Sequence, residues 1–137
     1  MNVVLERLVF LFAVGGLAVL GYRLFRCWMV RRVAGFAPCD PLLASRRPGI
    51  PAILYFTTPT CSPCKTVQRP ALQALLTELG DAVQVIEVNA LEQPEAADRW
   101  GVLSVPTTFI LDKLGRPREI NYGVAGVEKL RHQLQGL

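Results

Sequence analysis

Hydrophobic positions change rhythm twice along this chain. Residues 8–22, Leu-Val-Phe-Leu-Phe-Ala-Val-Gly-Gly-Leu-Ala-Val-Leu-Gly-Tyr, carry no charge, and after Arg23 and Arg26 the apolar character resumes through Trp28, Met29 and Val30. Such a run predicts a hydrophobic helix. Crossing a bilayer takes about 20 residues, more than the fifteen uncharged ones here, and Val3 to Leu5 together with snorkelling arginines extend the span at both ends. The competing readings are a removable signal peptide and a core helix; no Ala-x-Ala follows the run directly, and Phe36-Ala37 leads into Pro38. Gly35, Pro38, Pro41, Pro48, Gly49 and Pro51 then break any helix and predict a linker.

Beyond the linker the periods shorten. Ile53 to Thr58 is a β-prone run suited to a buried strand. From Cys61 to Leu79 the apolar residues Val67, Ala71, Leu72, Leu75, Leu76 and Leu79 recur at helical spacing, with a kink expected at Pro70 and a stop at Gly80. Val83 to Asn89 predicts a second strand, and Pro94 to Trp100 a short helix ended by Gly101. Thr107 to Asp112 and Arg118 to Tyr122 predict a hairpin around Lys113-Leu114-Gly115-Arg116, and Val127 to Leu134 an amphipathic last helix. The order β-α-β-α-β-β-α predicts an α/β domain, a mixed sheet of about four strands with helices on both faces. The expected organisation is a membrane anchor with basic flank over 1–32, a linker over 33–50 and the α/β domain over 51–137.

Charge sharpens this division. Residues 1–49 hold seven Lys and Arg against two acids, whereas residues 50–137 hold eight against nine. A near-neutral domain offers no electrostatic footprint for nucleic acid, so the positive excess belongs to the membrane flank. Arg23, Arg26, Arg31 and Arg32 follow the span while Arg7 is offset by Glu6, which favours a cytoplasmic domain, with the extracytoplasmic side as the alternative.

Four cysteines occur, at 27, 39, 61 and 64, and only Cys61-Ser62-Pro63-Cys64 is locally organised. A thiolate is the species that attacks a disulfide, so a reactive cysteine needs surroundings that lower its pKa. Cys61 falls where a strand hands over to a helix, where unpaired N–H groups and the helix dipole favour a negative sulfur. Pro63 suits the first turn, which does not need its missing donor, and Lys65 adds a positive charge. Cys64, three positions on, is placed to resolve a mixed disulfide formed at Cys61. The same spacing also begins zinc sites, yet further ligands are scarce: His132 is the sole histidine, Cys39 lies in the linker and Cys27 near the membrane. Cys27 is either acylated or an inert thiol, Cys39 idle or an intermolecular bridge, Trp100 core packing and His132 a surface residue.

Ile53-Leu54-Tyr55-Phe56, Cys61-Ser62-Pro63-Cys64-Lys65 and Gly101-Val102-Leu103-Ser104-Val105-Pro106-Thr107 together resemble the thioredoxin superfamily over about residues 50–136. The resemblance implies a thioredoxin-like fold, a cis Val105-Pro106 bond with Pro106 beside the dithiol, and substrate contacts at Thr60, Pro63 and Val105. Departures are visible. The family's buried aspartate six residues before the first cysteine is Tyr55, and its tryptophan before that cysteine is Thr60. The helix proline comes one residue late, at Pro70, and only linker precedes Ile53, without the family's first strand and helix. Glu87 stands where the family often has a buried lysine, and is offered as proton carrier against the plainer reading of a solvent-facing strand carboxylate.

The expected function is thiol–disulfide exchange on protein thiols and disulfides, with Cys61, Cys64 and Pro106 as catalytic residues, another dithiol system as electron partner, and neither metal nor bound cofactor. The alternatives are a non-catalytic thioredoxin-like binding module and a thiolate metal-delivery protein.

Overall fold

In a computed structural model describing residues 2–137, a four-stranded mixed sheet has the order β2-β1-β3-β4. Strand β1 (Ala52–Thr57) is buried along its whole length because it lies inside the sheet with both faces covered, and so reads as a continuous apolar run. It runs parallel to β2 (Gln84–Asn89) and antiparallel to β3 (Thr107–Leu111), and β3 forms a hairpin with β4 (Pro117–Tyr122). Gly115 takes the positive φ, +80°, that the hairpin turn requires. Helix α2 (Arg69–Leu79) completes the crossover from β1 to β2, α3 (Pro94–Arg99) precedes β3, and α4 (Val127–Gln135) closes the chain.

Alternation along the strands sorts the core into two layers. Ile53, Tyr55 and Ile110 face α2 and α4, packing with Leu72, Leu75, Leu130 and both cysteines of the dithiol. Leu54, Phe56, Phe109, Leu111 and Ile120 face the other way, around Trp100. Trp100 is fully buried and meets the rings of Phe36 and Phe109 edge-on, which bears out its reading as core.

Helix α1 (Val3–Ala34) is 32 residues long, about 48 Å at the usual helical rise. It is long and apolar enough to cross a membrane, and its first part is bare of protein contacts. Its last turns behave differently. Met29 and Val33 are buried against the sheet, and Phe25 packs beside Tyr122 of β4. Residues 35–50 hold two 3₁₀ turns, Ala37–Cys39 and Pro41–Leu43, which bury Ala37 and Leu43 in the same layer. Arg99 of α3 forks onto the buried Asp40 carboxylate at 3.1 to 3.3 Å, and Asp40 also caps Leu42 N–H at 2.9 Å. The stretch before Ile53 is thus more than linker: the end of α1 and these turns cover the sheet face opposite α2 and α4.

Candidate active site

The dithiol sits where β1 passes into a helix. Cys61 and Cys64 are joined by a disulfide, with their Cα atoms 5.3 Å apart. Ser62 and Pro63 open the helix, and the backbone N–H of Cys64 donates to Cys61 Sγ at 3.2 Å. That donor is one of the orphan N–H groups of a helix start, and it would hold a thiolate better than a thiol. Cys61 is 8% exposed and Cys64 1%, so an incoming disulfide reaches Cys61 first.

Between dithiol and α2 lies a π-helical turn, Cys64–Gln68, in which the N–H of Arg69 reaches back to the carbonyl of Cys64. A π turn houses one residue more than an α turn, which explains why Pro70 comes one position late. The expected irregularity is therefore before Pro70, in the π turn that leads into α2. The wide turn rotates Gln68 inward. Its amide is fully buried, with Nε2 donating to the carbonyl of Ala125 at 3.1 Å and Oε1 accepting from the N–H of Ala125 at 2.8 Å.

Val105-Pro106 is cis, as the resemblance implies. The Pro106 carbonyl accepts from Gly123 N–H at 2.8 Å, and among the described residues neither the N–H nor the carbonyl of Val105 has a backbone partner. Thr60 and Pro63, next in sequence to the cysteines, are exposed, and Val67, Leu103 and Val124 are exposed apolar residues.

Tyr55 lies under the dithiol, its hydroxyl donating to the carbonyl of Cys64 at 3.4 Å. Burial raises the pKa of its phenol above the ordinary value; a hydrogen bond with Thr57 opposes this and the nearby Glu87 carboxylate reinforces it. Tyr55 is therefore neutral at physiological pH and does not replace the missing aspartate as a base. Glu87 pairs in register with Tyr55 on β2, so it emerges on the dithiol face of the sheet, about 4.8 Å away across the ladder. Its carboxylate is half-exposed and accepts from Arg69 Nη2 at 2.7 Å.

Cys27 and Cys39 are free, exposed thiols, and His132 is exposed on α4. Two features of the site escaped sequence reasoning. Gln68 could have been flagged by the one-residue offset of Pro70, and the buried end of α1 by the recurrence of Phe25, Met29 and Val33 at i, i+4 and i+8 among arginines.

Comparison with known proteins agrees with this geometry. The Thioredoxin family matches residues 45–135, and the chain belongs to that family. It is 36% identical over 76 residues to thioredoxin of Bacillus subtilis (strain 168), covering 56% of this chain and 71% of that one. It is 34% identical over 84 residues to thioredoxin of Alicyclobacillus acidocaldarius subsp. acidocaldarius, covering 61% and 78% respectively. Among solved structures, StoA from Bacillus subtilis superposes with a TM-score of 0.54 at 22% identity, over 64% of this chain and 84% of that one. Chloroplastic thioredoxin z gives 0.59 at 23% identity, over 68% and 81%. These last two likenesses concern the fold. Family and paired cysteines together define, in general terms, a thiol–disulfide oxidoreductase.

Proposed function

We propose that this protein exchanges disulfides with other proteins through Cys61 and Cys64 while α1 holds it in a membrane. The observation that carries the reading is the Cys64 N–H aimed at Cys61 Sγ at 3.2 Å, beside the unpaired backbone of Val105. A substrate strand pairs with Val105 against Pro106 and rests on Thr60 and Pro63, which brings its disulfide to Cys61. In the reducing direction the Cys61 thiolate attacks one substrate sulfur; a mixed disulfide forms and one substrate thiolate leaves. Cys64 then loses its proton and attacks Cys61 Sγ, closing the intramolecular bridge and releasing the second substrate thiolate. Two electrons have passed to the substrate, and a partner dithiol returns them to the Cys61–Cys64 bridge.

Glu87 is assigned as acceptor of the Cys64 proton, through water, with Arg69 holding its carboxylate. Its place beside Tyr55 on the dithiol face supports this. The arginine flank of α1 supports a cytoplasmic domain, and a reporter active only outside the cytoplasm, fused after Leu137, gives no signal on this reading.

Cys61→Ser is expected to abolish reduction of insulin disulfides, and Cys64→Ser to accumulate mixed disulfides with partner proteins. A Cys61 thiol that resists alkylation at mildly acidic pH would instead mark a binding module without turnover.

A further inference from the structure

The flank of the helix beside its core-facing stripe carries its own site. Arg23, Arg26, Val30 and Arg31 succeed one another at helical spacing along one side of α1, and with Arg118 and Glu119 of β4 they line a cavity of about 340 Å³. Four guanidinium groups meet one carboxylate there. Arg26 gives Nη2 to Glu119 at 2.6 Å, and Arg118 lies 3.9 Å from its nearest acid, Asp112. Among the described residues Arg23 and Arg31 form no ion pair. Glu119 and Asp112 offset part of this charge, and Arg23 and Arg31 leave the cavity with a positive excess. Like charges gathered in one concavity repel unless an anion joins them.

The height of the cavity says where the anion comes from. From Val3 to Tyr22 the helix rises about 30 Å, the thickness of a hydrocarbon core, which puts Arg23 at its boundary. Arg26 stands about 4.5 Å further along the helix and Arg31 about 12 Å, against a headgroup layer of roughly 5–8 Å per leaflet. The lower wall of the cavity therefore lies among headgroups and its upper wall just above them.

We propose that this cavity binds the phosphate of an anionic phospholipid headgroup. Arg23 and Arg118 contact it from two elements, helix and sheet edge, and the Arg26 guanidinium, held by Glu119, adds its charge. A lipid so held ties β4 to the membrane surface and fixes which way the dithiol faces. The inference rests on α1 spanning the bilayer.

The test uses the full chain reconstituted in vesicles of phosphatidylglycerol and phosphatidylcholine, released in mild detergent and weighed intact by native mass spectrometry. Selective retention of phosphatidylglycerol is expected, reduced about tenfold or more by combined Arg23→Gln and Arg118→Gln and unchanged by Arg47→Gln, outside the cavity. Insulin reduction by the double variant serves as the check on folding. Equal retention of the two lipids, or retention indifferent to the double variant, in a protein that resists carbonate extraction would overturn the cavity's role and leave the span standing. Extraction by carbonate would overturn the span and the lipid site together. Inorganic phosphate in excess is expected to leave the bound lipid in place; its displacement would mean that the cavity serves a free anion, and would overturn the lipid assignment.

Discussion

The side-chain amide of Gln68 grips the backbone of Ala125 at both ends, donating to its carbonyl at 3.1 Å and accepting from its N–H at 2.8 Å. One turn of helix before Gln68 is Cys64, and two residues before Ala125 is Gly123, whose N–H holds the carbonyl of Pro106 at 2.8 Å. The π turn after the dithiol, the loop between β4 and α4, and the cis-proline loop are thereby fastened to one another. A single buried amide sets the relative position of the dithiol helix and the cis-proline loop, the two walls of the proposed substrate groove.

Gln68→Met keeps the volume and removes both bonds, leaving the N–H and carbonyl of Ala125 buried without partners. We expect a loss of about 2–4 kcal/mol in urea denaturation, from two orphaned groups at 1–3 kcal/mol each with partial relaxation. Among molecules that remain folded, KM for a protein disulfide rises more than kcat falls, because the groove wall moves and the sulfurs do not.

Glu87→Gln is expected to slow disulfide exchange at neutral pH by about a hundredfold, the lower range for a positioned acid–base group. The deficit shrinks as pH rises, since hydroxide then removes the Cys64 proton unaided. Stopped-flow reduction of insulin between pH 6 and 9.5 reads this. A constant rate ratio across that range would assign Glu87 no part in proton transfer.

Tyr55 gives a pH dependence of known sign. Its folded-state pKa is raised above the ordinary phenol value of 10.0, so the folded state holds this proton more firmly than the unfolded chain. The corresponding stability is complete below pH 10 and is lost as pH climbs through the folded-state value. Urea midpoints should be flat from pH 8 to about 9.5 and fall above it. Tyr55→Phe should make the alkaline limb shallower, and Tyr122, whose phenol pKa burial also raises, keeps the rest of it.

The end of α1 should prove essential to the core. Met29 is 4% exposed, and its thioether lies against Gly101, whose φ of +68° strains any side chain and whose Cβ would meet the Met29 sulfur at 2.6 Å. Met29→Ala is expected to cost about 2–5 kcal/mol in detergent-solubilised full-length protein. Gly101→Ala should cost about 1–3 kcal/mol from the left-handed backbone and the displaced thioether.

Much of this architecture was written locally. The dithiol at a strand-to-helix junction, the strand and helix periods and the apolar N-terminal run are each set by neighbours within a few residues, and each lies within a residue or two of its expected place. Cys61 and Cys64 are bridged and the Val105-Pro106 bond is cis, as local chemistry and the resemblance imply. What escaped depends on partners far apart in the chain. Gln68 looks like a solvated helix residue until the π turn rotates it onto Ala125, 57 positions away. Glu87 acquires a place beside Tyr55 only through the register of β1 against β2. Phe25 and Met29 read as anchor and Val33 as linker, because apolar side chains suit lipid and protein core equally. Only the uncovered face of the sheet, a property of the assembled fold, decides that these residues pack on protein.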